Sequence, residues 1–181
     1  MRFDYALQTE DSLTLNSFWS VSEETAGGGP LDASAKEPSP HLAARKWTGL
    51  LVEDNLPDVM VVEDAIAKHQ IPVELYVVDD GEKACEFIDR AASDPKAPRL
   101  EFLLLDLNLP KRSGIEVLRH LRNRSQFRDI PVLIITSSDL SHDKARFTEL
   151  GANRYFRKPP SYESFLKVGE VLKELLETGG L

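Results

Sequence analysis

The sequence predicts an α/β fold in which an open parallel sheet of five strands carries helices on both faces. Three observations support this prediction. Short apolar runs alternate with longer segments whose apolar residues recur at helical spacing. The short runs are continuously apolar, which is typical of strands buried on both faces. Ionisable or hydroxyl-bearing residues follow several of the runs, at the sheet edge where such folds bind ligands.

The first two predicted strands are each followed by a helix. Residues 49–52 form the first strand, and Asn55 then caps a helix. Residues 73–78 form a strand rich in β-branched residues, and the Asp-Asp-Gly sequence at 79–81 turns the chain into a second helix. The apolar positions at helical spacing in these two helices are Leu56, Val59, Val62, Ile66, Ala84, Phe87, Ile88 and Ala91.

The third and fourth predicted strands consist almost entirely of apolar residues. Residues 102–105 form the third strand, which ends at Asp106. The Ser-Gly pair at 113–114 opens a third helix. Pro131 introduces the fourth strand, residues 132–135, which ends at the Thr-Ser-Ser sequence.

The last third of the chain adds a helix, a strand and a final helix. A helix with a polar face is predicted over about 141–150, where Gly151 ends it. Residues 154–157 form the fifth strand. Ser161 caps the last helix. The apolar stripe of that helix is formed by Phe165, Val168, Leu172 and Leu175.

Composition limits the class of protein. The 181 residues carry 30 acidic against 22 basic side chains, which argues against a general nucleic-acid or anionic-membrane binder. Cys85 is the one cysteine, so an internal disulfide framework and a Cys-rich zinc site are excluded. No segment approaches the ~20 apolar residues of a membrane span, and the N-terminus does not resemble a signal peptide. We therefore expect a cytoplasmic protein.

Composition changes near residue 46. Residues 1–46 contain a Gly-Gly-Gly-Pro sequence and a Pro-Ser-Pro sequence, and they predict a disordered or extended tail. Residues 47–181 are predicted to form one folded domain. A short apolar cluster at 13–19 leaves open a motif that folds on a partner, and a misassigned start codon is a further alternative.

Polar side chains lie at the predicted carboxyl ends of four strands. They are Glu53, Asp54, Asp106, Thr136 and Lys158. Two carboxylates about 4 Å apart repel by roughly 4 kcal/mol at an effective dielectric constant of about 20. Three facing carboxylates must therefore share protons or recruit a cation, and Mg²⁺ suits a few carboxylates with waters.

The same set of residues indicates phosphoryl chemistry. Lys158 supplies a positive charge for an anionic oxygen, and the Thr136 hydroxyl can donate to another. No histidine follows a predicted strand, so histidine-based acid–base catalysis is unsupported. Asp106 as a nucleophile that forms an acyl phosphate is the better account.

The motifs LLVEDN, LLLDLNLPKRSG, PVLIITSS and GANRYFRKPP occur in this order, with Pro110 four residues and Gly114 eight residues after Asp106. Over about residues 48–177 the chain therefore resembles the receiver domain of response regulators in two-component signalling. The resemblance implies the flavodoxin-like strand order 2-1-3-4-5. The Asp-Leu-Asn-Leu-Pro sequence is similar to that of small regulators paired with phytochrome-type sensor histidine kinases.

The resemblance also implies a role for each acidic residue. Asp106 would accept the phosphoryl group from a kinase phosphohistidine. Asp54 would bind Mg²⁺ directly, and Glu53 would hold it through water. Besides Asp106 itself, the backbone carbonyl of Asn108 would be a further metal ligand.

Further implied roles fall on the fourth and fifth strands. Thr136 and Lys158 would contact the phosphoryl oxygens, and Tyr155 would be the aromatic residue of a conformational switch. The Lys158–Pro159 peptide bond would be cis. Pro160 departs from the family pattern, which predicts a different start of the last helix.

The predicted switch starts when Thr136 moves toward the phosphoryl group and Tyr155 turns into the vacated space. The output face would comprise the fourth predicted helix, the fifth strand and the fifth helix, with Arg146, Arg154 and Arg157. The expected partners are a sensor histidine kinase and a downstream target or phosphotransfer protein, and pairing with a second copy stays open. We expect no direct binding of nucleic acid or membrane.

Two other classes of function were weighed. A phosphotransferase or phosphatase with an Asp nucleophile would need a second acid two residues later, where this chain has Asn108. The prediction is therefore a single-domain response regulator, which would not be a classical enzyme. The alternative that remains is a protein-binding module that uses the same fold without phosphorylation.

Overall fold

The structure is a computed structural model that describes residues 46–137, residue 149 and residues 151–179. The predicted tail therefore lies outside the described residues apart from Lys46. The same holds for the fourth predicted helix apart from Glu149.

Five parallel strands form one sheet in the order β2-β1-β3-β4-β5. The strands are β1 Trp47–Val52, β2 Val73–Val78, β3 Phe102–Leu105, β4 Val132–Thr136 and β5 Arg154–Arg157. Each neighbouring pair is parallel. The predicted fold class and strand order are confirmed.

Helices cover both faces of this sheet. They are α1 Leu56–Lys68, α2 Gly81–Ser93, α3 Gly114–Arg122, α4 Tyr162–Phe165 and α5 Val168–Thr178, with a 3-10 turn at Ser125–Phe127. Residues of α2 and α3 pack against one face, together with Leu103 and Leu105. Residues of α1, α4 and α5 pack against the other face, together with Leu104. Consecutive residues of β3 and β4 are thus buried on opposite faces, which explains why these two strands read as continuous apolar runs.

The start of α1 differs from its prediction in two respects. Asn55 occupies the N-cap position, but its side chain makes no capping hydrogen bond. Leu56 is 61% exposed, whereas Val59 and Val62 are buried. Leu56 is the first residue of α1, and the buried face of the helix begins one turn later at Val59.

The last predicted helix is two helices. Ser161 caps α4, accepting a hydrogen bond from the backbone N–H of Ser164. The backbone then tightens, because the N–H of Gly169 donates to the Leu166 carbonyl three residues earlier. This turn brings Gly169 against α1, where a Cβ would lie 2.7 Å from the Ala65 carbonyl oxygen. All four residues of the predicted apolar stripe are buried.

Candidate functional site

The carboxyl edge of the sheet brings together residues that are far apart in the chain. The N–H of Glu53 donates to the Val78 carbonyl at 3.0 Å, which continues the pairing of β1 with β2. The N–H of Lys158 donates to the Thr136 carbonyl at 2.9 Å, which continues the pairing of β4 with β5. Ladder hydrogen bonds that run past the strand ends therefore fix the backbone of the site.

Three carboxylates converge at this edge. One oxygen from each of Glu53, Asp54 and Asp106 lies within 4.8 Å of the others. Glu53 and Asp106 are buried, and Asp54 is exposed. The arrangement is a carboxylate set with one side open to solvent.

Lys158 is the cation of the site. Its ammonium Nζ lies 2.6 Å from Glu53 Oε2, 2.6 Å from Asp106 Oδ2 and 2.9 Å from Asp58 Oδ2. The Lys158 side chain is only 8% exposed. The three short contacts are charge-assisted hydrogen bonds, which are stronger than neutral ones.

The protonation of the site follows from burial and charge. Burial raises the pKa of Glu53 to about 7, and the neighbouring Asp106 adds to the rise, although hydrogen bonding to Lys158 opposes it. Burial disfavours the charged ammonium, but the hydrogen bonds that Lys158 donates to Asp106, Glu53 and Asp58 outweigh burial and raise the pKa of Lys158. Lys158 therefore stays positively charged at neutral pH.

Asp106 is held by the backbone on both sides. Its N–H donates to the Val52 carbonyl at 3.0 Å, and its Oδ1 accepts from the N–H of Asn108 at 3.1 Å. The first residue of α3, Gly114, packs against it so closely that a Cβ would lie 2.2 Å from the Asp106 carbonyl oxygen. Only glycine allows this approach of α3 to the end of β3.

The remaining predicted residues occupy the neighbouring strand ends and loop. Thr136 is fully buried at the end of β4. Tyr155 lies in β5, half-buried against the core on the α2–α3 face. Asn108 is exposed in the loop after β3. The structure thus brings Lys158 into contact with Glu53 and Asp106 and places an oxygen of Asp54 within 4.8 Å of theirs.

The expectation of a cis peptide bond between Lys158 and Pro159 is wrong for this structure. None of the peptide bonds among the described residues is cis. The trans form of an X-Pro bond is favoured by about 0.5–1 kcal/mol, and the Lys158 side chain reaches the carboxylates with the bond in that form.

Asp58 was missed by the sequence reasoning. It lies in the first turn of α1, directly after the acidic pair that ends β1, and it contacts Lys158. An acid in the first turn is common at helix N-termini, where it interacts favourably with the helix dipole. Because its place in the helix explains Asp58 without any further role, the sequence did not indicate its contact with Lys158 across the sheet edge.

The donor set fits Mg²⁺. Carboxylate oxygens are the hard ligands that Mg²⁺ prefers, and the open side at Asp54 leaves room for waters. Burial is the main cause of the raised pKa of Glu53, and the charge of Asp106 adds to it; a divalent cation at this set would favour the ionised carboxylates. Among the described residues, each helix is too short or too polar to cross a bilayer.

Comparison with known proteins gives relatives of similar size. Response regulator Rcp1 of Synechocystis sp. is 33% identical over 130 residues, which cover 71% of this chain and 88% of Rcp1. Rcp1 has been solved in an Mn²⁺-bound form, and that structure has a TM-score of 0.64 at 31% identity, covering 72% of this chain and 94% of Rcp1. The phosphorylated cyanobacterial phytochrome response regulator RcpA has a TM-score of 0.65 at 29% identity, covering 72% of this chain and 94% of RcpA.

The family comparison covers most of the described residues. The model of the response regulator receiver domain matches residues 50–168, from β1 to the start of α5. This range contains the carboxylates, Lys158 and Asp58. The chain therefore belongs to the response regulator receiver domain family of two-component systems, whose members are signalling proteins rather than classical enzymes.

Proposed function

We propose that this protein is a single-domain response regulator that accepts a phosphoryl group on Asp106 from a sensor histidine kinase in an Mg²⁺-dependent reaction. One observation carries the proposal. The buried Asp106 carboxylate lies 2.6 Å from the Lys158 ammonium and within 4.8 Å of two further carboxylates. An acceptor, a cation for the transferred group and a metal-binding set are therefore in one place.

The proposed reaction needs no general base. A carboxylate oxygen of Asp106 forms a bond to phosphorus, and the phosphorus–nitrogen bond of the phosphohistidine breaks. The departing imidazole nitrogen keeps the electron pair and takes a proton from solvent. Lys158 donates to an oxygen of the phosphoryl group as charge develops there, and Thr136 is proposed to donate to another.

The metal ligands are proposed from the same geometry. Asp54 and Asp106 would hold Mg²⁺ directly, Glu53 through water, and Asn108 through its backbone carbonyl. Bound Mg²⁺ supplies positive charge that lowers repulsion between the carboxylates and the incoming phosphoryl group.

The proposed response is a switch at the end of β4. Thr136 would move toward the phosphoryl group, and Tyr155 would turn into the space that Thr136 leaves. The proposed output face comprises β5, the two helices that form the last predicted helix (α4 and α5) and residues 141–150. Its exposed basic residues include Arg154 and Arg157, whereas Arg146 lies outside the described residues.

We propose a kinase of the phytochrome type, because Rcp1-like regulators are among the relatives. The acidic net charge of −8 favours a protein partner, either a downstream target or a phosphotransfer protein, over nucleic acid or membrane. Pairing with a second copy through the output face is part of the proposal. The setting that fits these partners is the cytoplasm.

Intact mass spectrometry tests the proposal. The protein is incubated with Mg²⁺ and phosphoramidate, a small donor that also transfers phosphorus from nitrogen. The expected result is one added phosphoryl group that requires Mg²⁺ and is absent from Asp106→Asn. If neither an adduct nor beryllofluoride binding is detected, the protein acts as a phosphorylation-independent binding module and the proposal fails.

A further inference from the structure

Asp58 contacts the site without belonging to its cluster of carboxylates. Its Oδ2 accepts a hydrogen bond from Lys158 Nζ at 2.9 Å. Its backbone is fixed in the first turn of α1, because its N–H donates to the Asn55 carbonyl at 3.0 Å. The Asp58 side chain is 23% exposed, so it lies at the rim of the site.

The hydrogen bonds of Lys158 can be counted. An ammonium group has three N–H donors. Glu53, Asp106 and Asp58 each offer one oxygen at 2.9 Å or less, so all three donors are used. The three acceptors lie on three different elements, namely the end of β1, the end of β3 and the start of α1.

These three acceptors differ in their relation to a metal ion. Glu53 and Asp106 belong to the carboxylate set whose oxygens lie within 4.8 Å of one another, together with Asp54. Asp58 is outside that set. A divalent cation at the set draws on the negative charge of Glu53 and Asp106, so these two carboxylates attract the Lys158 ammonium less strongly when the cation is bound.

We propose that Asp58 is a positioning residue that holds the Lys158 ammonium beside Asp106 when the carboxylates of Glu53 and Asp106 are engaged by Mg²⁺. The inference rests on the function proposed above. Lysine is a point charge on a flexible four-carbon stem, so its location depends on what anchors it. With Asp58 as the remaining anchor, the ammonium stays where the phosphoryl oxygens arrive.

The first test compares isosteric variants at saturating Mg²⁺ with phosphoramidate as donor. Asp58→Asn should lower the rate constant of phosphorylation about tenfold, less than the roughly 100-fold that a 1 Å misplacement can cost. The Mg²⁺ dissociation constant should change far less than the rate, because Asp58 is not a ligand. Asp58→Glu, which restores the charge, should recover part of the rate.

Asp64→Asn is the matched control. Asp64 lies on the same helix, and its carboxylate accepts a hydrogen bond from the Tyr162 hydroxyl at 2.9 Å, away from Lys158. The substitution makes the same change in charge and keeps an acceptor oxygen. The Asp64→Asn variant should be phosphorylated at the rate of the parent protein.

A second readout does not depend on phosphorylation. A buried, anchored ammonium exchanges its protons slowly, so the Lys158 Nζ–H signal should be visible by ¹⁵N NMR in the Mg²⁺-bound parent protein. Lys158→Met assigns the signal. The signal should persist in Asp64→Asn and lose intensity through faster proton exchange in Asp58→Asn, because the neutral amide oxygen is a weaker acceptor than a carboxylate.

The outcomes separate this inference from the function on which it rests. A parent rate in Asp58→Asn, or a loss of Mg²⁺ affinity as large as the loss of rate, overturns the role of Asp58 alone. A Lys158 signal as strong in Asp58→Asn as in the parent protein overturns it as well. If the parent protein shows neither a phosphoryl adduct nor beryllofluoride binding, the proposed function fails, and the NMR signal still decides whether Asp58 anchors Lys158.

Discussion

Glu53 shows at the scale of one residue how the metal site and the proton compete. Its carboxyl group is buried, and burial raises its pKa to about 7. Below that pH the group is protonated and carries no charge for a cation, so metal binding must displace a proton.

The affinity for Mg²⁺ should therefore depend on pH near neutrality. With one proton lost at a pKa of about 7, the Mg²⁺ dissociation constant should rise about tenfold between pH 8 and pH 6. Titration of the protein with Mg²⁺ at both pH values measures this. Glu53→Gln should bind more weakly and with a flatter pH profile. An equally flat profile in the parent protein would contradict the assignment of the raised pKa to Glu53.

The same carboxyl group makes stability depend on pH in the absence of metal. Its pKa in the folded state is above the ordinary value of 4.5, so the folded state binds the proton more tightly than the unfolded chain. Stability is then lost as pH rises from about 4.5 to about 7 and is constant above that window. Glu53→Gln has no carboxyl group to ionise and so does not lose this stability. At pH 8 the free energy of unfolding of the variant should exceed that of the parent protein by about 1–2 kcal/mol.

Urea denaturation at pH 5 and pH 8 checks this expectation. The difference between the two proteins should shrink toward pH 5, where the parent carboxyl group is protonated. A difference that stays constant with pH would have another cause than ionisation of Glu53.

The residues of the site were predictable to the extent that the strand ends define them. Glu53, Asp54 and Asp106 follow apolar runs, Lys158 follows the short predicted strand at 154–157, and parallel pairing brings those ends to one edge. Asp58 was not predictable in this way, since its contact depends on how the first turn of α1 lies over that edge.

At the scale of elements, the start of α3 fixes the position of Asp106, the proposed acceptor. Ser113 caps the helix by a capping box with Glu116, and Gly114 lies against the Asp106 carbonyl. Pattern reasoning predicted this start correctly, because serine and glycine have strong local preferences there. It did not predict the division of the last helix, which coincides with a tightened turn at Gly169, where the chain approaches α1 closely.

Gly114→Ala should damage both stability and phosphorylation. The new methyl group would meet the Asp106 carbonyl oxygen at 2.2 Å, so the end of β3 or the start of α3 must shift. Such overpacking costs about 1–3 kcal/mol. Denaturation and the rate of phosphorylation by phosphoramidate are measured together.

Ser113→Ala is the control for this prediction. It removes the helix cap at a cost of about 1 kcal/mol and adds no atom near Asp106. It should therefore lose stability but keep the rate of phosphorylation. A parent rate in Gly114→Ala would mean that the clash is relieved without moving Asp106.

At the scale of the whole molecule, Arg122 joins segments that the sheet alone does not hold. Its guanidinium group donates to the carbonyls of Phe127 at 2.7 Å, Ile130 at 3.0 Å and Gly151 at 3.1 Å. These carbonyls belong to the 3-10 turn and to the loops that precede β4 and β5. Sequence patterning placed Arg122 at the end of a helix, and the three acceptors could not be inferred because they depend on tertiary packing.

Arg122→Met should lower the free energy of unfolding by about 2–4 kcal/mol. The substitution keeps the aliphatic stem but leaves several carbonyls without their donor, and each such group costs about 1–3 kcal/mol when buried. Arg119→Met changes an exposed arginine of the same helix, and it should lower the free energy of unfolding by about 0.5 kcal/mol or less, the usual scale of surface changes. Equal losses in the two variants would contradict the bridging role.

The position of Lys158 along the chain has a consequence for protein synthesis. Its contact with Glu53 joins residues 105 positions apart, and it directly follows β5. A chain released from the ribosome before residue 158 contains Asp106 and its acidic neighbours but no Lys158 ammonium to balance them. If Asp106 is the acceptor as proposed, such a chain should be phosphorylated more slowly than one that contains Lys158, because the cation that offsets the charge of the carboxylates is missing.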